Sequence, residues 1–291
     1  MFRFLRLSNF YKNLLIFTPI IVSNNLILFQ DYIKIFTGLI IFFLITNLCY
    51  LINDYTDRYI DKINKLKKRF KILNLKDLSI YIFFYFIIII CTLIFLNQQK
   101  NYFIYLYFVN FLFYNFYFKK KRYLDLIFLT NFYLIRVFYG CQLFDLDINI
   151  GFILFLLLMF LSLSAYKRII QISVNKIVHD SKIISYTIRD TNILKKMIFS
   201  LIFLNFIIFQ LYIIFNLNLV DFNYLSFFYA DFNSNSLIFL DLIYILVIAR
   251  VFYTLIKNTI KDDVYSFFIK DKFILCLAAI LIIIMIYEFF N

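Results

Sequence analysis

Three carboxylates and an amide lie close together in one short segment, N-D-Y-T-D-R-Y-I-D, at residues 53–61. Asp54, Asp57 and Asp61 are spaced i, i+3 and i+7, so a helix would place them on one face. Carboxylates this close repel each other, and a divalent cation such as Mg²⁺, which prefers oxygen ligands, would relieve the repulsion. Since the chain has only 17 acidic residues, we predict that the chemistry lies here. The predicted catalytic residues are Asn53, Asp54, Asp57 and Asp61, with the three aspartates as metal ligands.

The rest of the chain consists largely of long apolar runs, and these must position the aspartate segment. The chain is 64% hydrophobic and has a mean hydropathy of +0.86. A soluble domain would be about half apolar, and runs of about twenty apolar residues are typical of membrane helices. We therefore predict an all-α integral membrane bundle that forms a single domain over residues 1–291. About nine transmembrane helices are predicted, near residues 13–30, 35–53, 79–97, 102–118, 124–144, 150–166, 197–216, 236–256 and 273–290.

The basic residues are distributed unevenly along the chain, which has a net charge of +13. All Lys and Arg except Lys34, Lys100, Arg136 and Arg250 lie at the N-terminus or in and beside the loops after the second, fourth, sixth and eighth predicted spans, and Arg250 lies in the last third of the eighth span. This pattern follows the positive-inside rule. It predicts a multi-pass protein of the cell (inner) membrane, with a cytoplasmic N-terminus and the aspartate segment facing the cytoplasm. The basic loops serve as topology signals, as contacts for anionic lipid, or as walls of a pocket for a phosphorylated ligand.

Several function classes fit the composition poorly. The single His excludes a mechanism that needs two, and the four Cys contain no C-x-x-C pair. A transporter would commonly break its helices at Gly or Pro around a midplane site, but the chain has three Gly and one Pro. A transporter is therefore a distant alternative, and no nucleic-acid partner is expected.

The segment at residues 50–61 resembles the first aspartate-rich motif of the UbiA superfamily of intramembrane transferases, which also have nine membrane helices with that motif after the second. Other stretches resemble one branch of it, the polyprenyl-phosphate phosphoribosyltransferases, of which decaprenyl-phosphate phosphoribosyltransferase is the named type. The stretches that are similar to this branch are K-N-L-L-I-F-T-P at residues 12–19, Leu124-Asp125, L-I-R-V at residues 134–137, Gly140, Lys167-Arg168, Arg250 and Asp271.

The chain also departs from the patterns of both branches. The phosphoribosyl branch usually has an acid shortly after its K-R pair, where this chain has Gln171, and a Pro where it has Phe70. The prenyltransferases of the superfamily have a second D-x-x-x-D motif after the sixth span. Here that loop contains Asp180 and Asp190, whose spacing differs from the motif. This difference weakens the aromatic prenyltransferase interpretation and is compatible with the phosphoribosyl branch.

The resemblance implies chemistry at a diphosphate leaving group, and Lys and Arg complete a phosphate site by charge-assisted hydrogen bonds. Lys167 and Arg168, which we expect to enter the cytoplasmic loop from the sixth span, are the best candidates. Arg136 lies inside a predicted span, where a charge is costly, so it either meets the acceptor phosphate or pairs with an Asp of the bundle. Lys12 either holds phosphate or extends to the membrane interface.

We therefore predict a Mg²⁺-dependent transferase of the UbiA type that moves phosphoribose from phosphoribosyl diphosphate to a polyprenyl phosphate and releases diphosphate. The alternative is a UbiA-type prenyltransferase that moves an isoprenoid chain to an aromatic or other acceptor. The predicted partners are a polyprenyl phosphate lipid, a diphosphate-bearing donor and membrane lipids. The loop at residues 167–196 discriminates between the two, because a prenyl diphosphate donor would need a metal-binding acid there, such as Asp180 or Asp190.

Overall fold

A computed structural model describes residues 7–23, 29–57, 83, 86–87, 102–146, 150–178, 186–216, 234–257 and 271–290 of the chain. These residues form helices and turns, and the described ranges contain no strand, as the all-α prediction requires. The elements are a 3-10 helix at Leu7–Phe17 and the α-helices α1 (Thr18–Ser23), α2 (Phe29–Thr56), α3 (Tyr102–Phe113), α4 (Leu124–Leu143), α5 (Ile150–Val178), α6 (Asp190–Asn216), α7 (Ser234–Lys257) and α8 (Lys272–Phe290).

Five of the described helices are long and apolar enough to cross a membrane, namely α2, α4, α5, α6 and α7. Two shorter apolar helical stretches, Lys12–Ile21 and Lys272–Ile284, overlap the first and last predicted spans. The third predicted span, near residues 79–97, lies almost wholly outside the described residues. A membrane helical bundle is thus confirmed, while the number of nine spans and the cytoplasmic N-terminus stay predictions.

Two helices continue beyond their predicted ends. Helix α2 ends at Thr56 instead of residue 53, so the first part of the aspartate segment is helical. Helix α5 ends at Val178 instead of residue 166, because Ile169, Ile170 and Ile172 bury their side chains and continue its apolar side. Lys167 and Arg168 therefore lie within a helix and not in a loop.

Contacts between residues divide the chain into two compact units. The first unit contains Met1–Ile21 and Asn25–Asp147, and the second contains Val22–Asn24 and Ile148–Asn291. The single domain at residues 1–291 stays a prediction. All the described residues of the aspartate segment belong to the first unit.

The core of the first unit lies between α2, α3 and α4. Phe42 of α2 is fully buried, and its ring stacks on Tyr139 with centroids 5.0 Å apart and meets the edge of Tyr107 at 5.1 Å. The Tyr139 hydroxyl donates a hydrogen bond of 3.1 Å to the carbonyl oxygen of Gly38. Such close packing holds membrane helices together, because lipid offers no hydrophobic drive for their association.

Gly140 allows the 3-10 helix to lie directly against α4. A Cβ atom at this position would be 2.0 Å from the carbonyl oxygen of Ile16 and 3.2 Å from Cδ of Pro19. Small residues permit this kind of backbone approach between membrane helices. The N-terminal segment therefore has its position set by a glycine of α4.

We expect Gly140→Ala to lower the free energy of unfolding by about 2 kcal/mol, because the added methyl group meets backbone that cannot move aside. In a helix with free space around the glycine, the same change would raise the free energy of unfolding by about 1 kcal/mol. The sign of the measured change therefore distinguishes close packing from free space. The measurement is unfolding by sodium dodecyl sulfate in mixed micelles. Gly38→Ala is the comparison and should cost less, because its Cβ would meet a movable side-chain atom, Cδ2 of Leu143 at 2.6 Å. Equal or greater stability of Gly140→Ala would contradict this packing.

The second unit contains hydrogen bonds between its helices. The side-chain amide of Asn205 in α6 donates to the carbonyl oxygen of Phe155 in α5 at 2.6 Å and accepts from the Tyr244 hydroxyl of α7. Such bonds contribute about 0.6–2 kcal/mol each in membrane bundles. At the start of α8, Asp271 accepts from Nε and Nη2 of Arg250 at 3.0 and 2.8 Å. Burial alone raises the pKa of Asp271, but these bonds and two backbone N–H groups outweigh it and lower the pKa.

Candidate active site

The end of α2 presents the aspartate segment. The backbone N–H of Asp57 donates to the carbonyl oxygen of Asn53 at 2.9 Å, so the helical turn continues through Asp57. Asp54 and Asp57 are three residues apart on this turn and therefore share a side of it. Asp57 is buried, with 9% of its surface exposed. The fourth predicted residue, Asp61, lies outside the described residues.

Lys119 meets two of the predicted residues directly. Its Nζ donates a hydrogen bond of 3.0 Å to Oδ1 of Asn53 and forms a short ion pair with Oδ2 of Asp57. The two oxygen atoms thus point at one position, which a positive charge occupies. The exposed fractions of the two charged side chains are 27% for Lys119 and 13% for Asp57.

A π-helix brings Lys119 to this position. It follows α3 at Tyr114–Phe118 and ends where the N–H of Lys119 donates to the carbonyl oxygen of Tyr114 at 2.9 Å. The Thr56 hydroxyl at the end of α2 lies 3.2 Å from Oδ1 of Asn115 in the π-helix. Short π-helical turns are rare and are frequent at functional sites. The turn and this contact together hold the lysine against the end of α2.

The oxygen atoms at this position suit a hard divalent cation. Mg²⁺ takes carboxylate and amide oxygens as ligands, and Asn53 and Asp57 already direct theirs toward one positive charge. Within the described part of the chain, no three His, Cys, Asp or Glu side chains form a group that could hold a metal. Asp54 and Asp57 are two members of the predicted set of three ligands, and the full set stays a prediction.

Lys119 is the residue of the candidate site that sequence reasoning missed. It belongs to the basic run K-K-K-R at residues 119–122, between the fourth and fifth predicted spans, which is explained equally well as a topology signal. The π-helix adds a residue to the turn and changes which lysine faces α2, and helical periodicity does not reveal that. The basic run itself was the available signal, because it lies at the same predicted side of the membrane as the aspartates.

Arg136 is buried in the first unit, with 2% of its surface exposed. It donates from Nε to Oδ1 of Asn13 at 3.1 Å, from Nη2 to the Tyr107 hydroxyl at 2.9 Å and from Nη1 to the carbonyl oxygen of Phe132 at 2.5 Å. These three partners are neutral oxygen atoms of the first unit, and pairing of Arg136 with an Asp of the bundle stays a prediction. The structure gives Arg136 a role in packing, and its contact with an acceptor phosphate stays a prediction.

Lys12 begins the apolar stretch Lys12–Ile21 and is half-buried. The adjacent Asn13 is buried, and its amide nitrogen donates to the Thr46 hydroxyl of α2 at 3.2 Å. The 3-10 helix is therefore joined to α2 and to α4 through one residue, and this fixes the backbone at Lys12. Binding of phosphate by Lys12 stays a prediction.

The second unit contains Lys167, Arg168 and the departure at Gln171. Arg168 is buried and donates to Oε1 of Gln171 through a short hydrogen bond. The amide oxygen thus accepts from the basic pair at the position where the phosphoribosyl branch usually has an acid. Binding of substrate phosphate by Lys167 and Arg168 stays a prediction.

Asp190 has a structural role at the start of α6. Its carboxylate accepts from the backbone N–H of Thr187 at 2.6 Å and from the Thr187 hydroxyl at 2.9 Å. The acid of T-I-R-D thus satisfies the backbone N–H of the threonine three residues before it, which is one half of a capping box. Asp180, the other acid considered for a second metal motif, lies outside the described residues.

No protein-family model and no curated protein sequence matches the chain. A solved structure of digeranylgeranylglyceryl phosphate synthase in membranes is similar to it, with a TM-score of 0.62 and 18% sequence identity. The similarity covers 99% of this chain and 96% of that chain. At this identity the likeness establishes the fold, and function must be argued from the site. The chain is therefore a helical, multi-pass membrane protein with the fold of that membrane synthase.

Proposed function

We propose that this protein is an intramembrane transferase of the UbiA type that cleaves the bond between carbon and a diphosphate leaving group. One observation carries the proposal: Asn53 and Asp57, at the end of an apolar helix, direct oxygen atoms at one position, which the ammonium of Lys119 occupies. The chain has the fold of a solved digeranylgeranylglyceryl phosphate synthase, and residues 50–61 resemble the first aspartate-rich motif of the UbiA superfamily.

The residues at this position suit a reaction that builds negative charge on a diphosphate. Mg²⁺, when bound by Asn53, Asp54, Asp57 and Asp61, would neutralise that charge as a Lewis acid. Lys119 adds a positive charge with hydrogen-bond donors within reach of the same position. Preorganised charges of this kind are usually the largest catalytic contribution.

The proposed donor is phosphoribosyl diphosphate, and the proposed acceptor is a polyprenyl phosphate. A phosphate oxygen of the acceptor attacks the anomeric carbon, and the bond from that carbon to the diphosphate breaks. The acceptor is already ionised at neutral pH, so the reaction needs no strong general base, which suits a chain with one His and one Glu. The capping role of Asp190 supports this donor, because it occupies an acid that a second metal motif would use.

Transfer of an isoprenoid chain from a prenyl diphosphate is the second candidate. The observation that favours it is the fold, since the similar solved structure is a synthase of digeranylgeranylglyceryl phosphate. The two candidates share the metal, the diphosphate and the aspartate segment. They differ in the carbon that is attacked and in the acceptor.

The test offers phosphoribosyl diphosphate labelled in the ribose to membranes that contain the protein and polyprenyl phosphate. We expect label in the lipid fraction with Mg²⁺ and none with EDTA, and membranes without the protein provide the background. If inserted protein transfers no label, the phosphoribosyl proposal is wrong. Labelled prenyl diphosphates with aromatic or lipid acceptors, offered to the same membranes, then test the second candidate.

A further inference from the structure

We propose that Lys119 occupies the metal position when no donor is bound, so that the site accepts a divalent metal together with diphosphate and resists the free metal ion. The inference rests on the proposed function, because it concerns the same metal and the same leaving group. It adds that metal and donor bind together, so that the donor is recognised as its complex with metal.

The geometry places one lysine where a metal would have to be. Nζ of Lys119 bonds to Oδ1 of Asn53 and to Oδ2 of Asp57, which are two of the predicted catalytic residues, and Asp57 is also a predicted metal ligand. A Mg²⁺ ion takes near-octahedral oxygen ligands at about 2.0–2.1 Å. An ammonium nitrogen and a metal ion therefore cannot share these two oxygens, and the lysine must leave before the metal is bound.

Leaving is unfavourable without a new partner for the ammonium. The ion pair is only partly exposed, with 27% of the Lys119 side chain and 13% of the Asp57 side chain accessible, so solvent screens it incompletely. A displaced ammonium would also stand beside a divalent cation and repel it. Binding of free metal therefore breaks the ion pair between Lys119 and Asp57, and it also places the metal beside the displaced ammonium, which repels it.

Diphosphate removes both penalties. Its oxygen atoms are ligands for the metal, and they are also acceptors for the displaced ammonium, which has three donors on a flexible four-carbon stem. Metal and diphosphate should therefore each increase the affinity of the site for the other, as thermodynamic linkage requires. The lysine acts as an internal counter-ion that passes from the carboxylate to the leaving group.

The neighbouring lysines provide a matched control. Lys120 is exposed in the same turn. Lys120→Met therefore removes the same charge and leaves the contacts of Lys119 with Asn53 and Asp57 in place. Any change that arises only from lower local charge should be shared by the two variants. A change in Mn²⁺ affinity that is confined to Lys119→Met would show that the ammonium of Lys119 occupies the metal position.

The experiment measures Mn²⁺, a substitute for Mg²⁺, by equilibrium dialysis of the purified full chain in detergent, with and without inorganic diphosphate. Wild type and Lys120→Met should bind Mn²⁺ weakly alone and at least about tenfold more tightly with diphosphate. Lys119→Met should bind Mn²⁺ alone about tenfold more tightly than wild type, and its gain from diphosphate should be smaller.

Two results would overturn the inference in distinguishable ways. If Lys119→Met binds Mn²⁺ alone no more tightly than Lys120→Met does, while Asp57→Asn abolishes binding, the metal site stands and the counter-ion role is wrong. If wild type binds no Mn²⁺ even with diphosphate, the proposed function fails and the inference fails with it. A folded state for each variant is checked by its elution from size-exclusion chromatography.

Discussion

Asp57→Asn is expected to lower Mg²⁺-dependent transfer by at least about a hundredfold while leaving insertion into the membrane intact. Asparagine keeps the shape of the side chain and an oxygen that can accept from Lys119, but it removes the negative charge that a hard cation requires. Asp57 directly follows the last residue of α2, Thr56, and asparagine has nearly the same volume as aspartate, so the fold should tolerate the change. The measurement is the initial rate of label transfer to lipid at saturating Mg²⁺.

Asp145→Asn is the matched control for this substitution. It makes the same chemical change at an exposed aspartate whose φ of 51° asparagine adopts readily. Asp145 follows the C-terminal end of α4, whereas the turn that carries Lys119 precedes its N-terminal end. The helix between them is about 30 Å long. We expect wild-type activity in this variant. Full activity in Asp57→Asn would show that the site is elsewhere.

The second large effect is expected where Arg136 meets Asn13. We expect Asn13→Ala and Arg136→Met each to lower the free energy of unfolding by about 2–3 kcal/mol, because each leaves a buried polar partner without its hydrogen bond. The double variant should lose clearly less free energy of unfolding than the sum of the two single losses. In the double variant neither partner of the hydrogen bond is left buried without the other. Unfolding by sodium dodecyl sulfate in mixed micelles measures all three.

This cycle separates a structural arginine from one that binds substrate. A strictly additive loss would mean that the described contact between Asn13 and Arg136 does not stabilise the protein. A fully stable Arg136→Met variant that has lost transfer would instead assign Arg136 to the acceptor phosphate. Lys120→Met, at an exposed position, should change stability by no more than about 0.5 kcal/mol and serves as the reference.

The two predictions concern different layers of the first unit. Asp57 and Lys119 form an ion pair where α2 ends, at partly accessible positions, whereas Asn13, Thr46, Tyr107 and Arg136 form a buried network between the 3-10 helix and three helices. The network holds the backbone of the first unit, and the ion pair is available for chemistry. A membrane protein can keep both because buried polar groups are tolerated where they satisfy each other.

The sequence by itself determined the features that depend on neighbouring residues. The recurrence of apolar runs requires membrane helices, and the spacing of Asp54 and Asp57 places them on one turn once that turn is helical. Both properties follow from helical geometry and hydration, which act over a few residues. Helix ends were less well determined, as α5 shows by continuing to Val178, because burial of Ile169, Ile170 and Ile172 decides where that helix stops.

Only the tertiary structure decided which distant residues meet. Lys119 and Asp57 are 62 residues apart in sequence, and Arg136 and Asn13 are 123 apart, so no local period relates either pair. The first contact depends on a π-helical turn that selects one lysine from a run of four basic residues. The second depends on a glycine that lets two backbones approach. Composition showed that such charges needed partners, and packing between helices chose the partners.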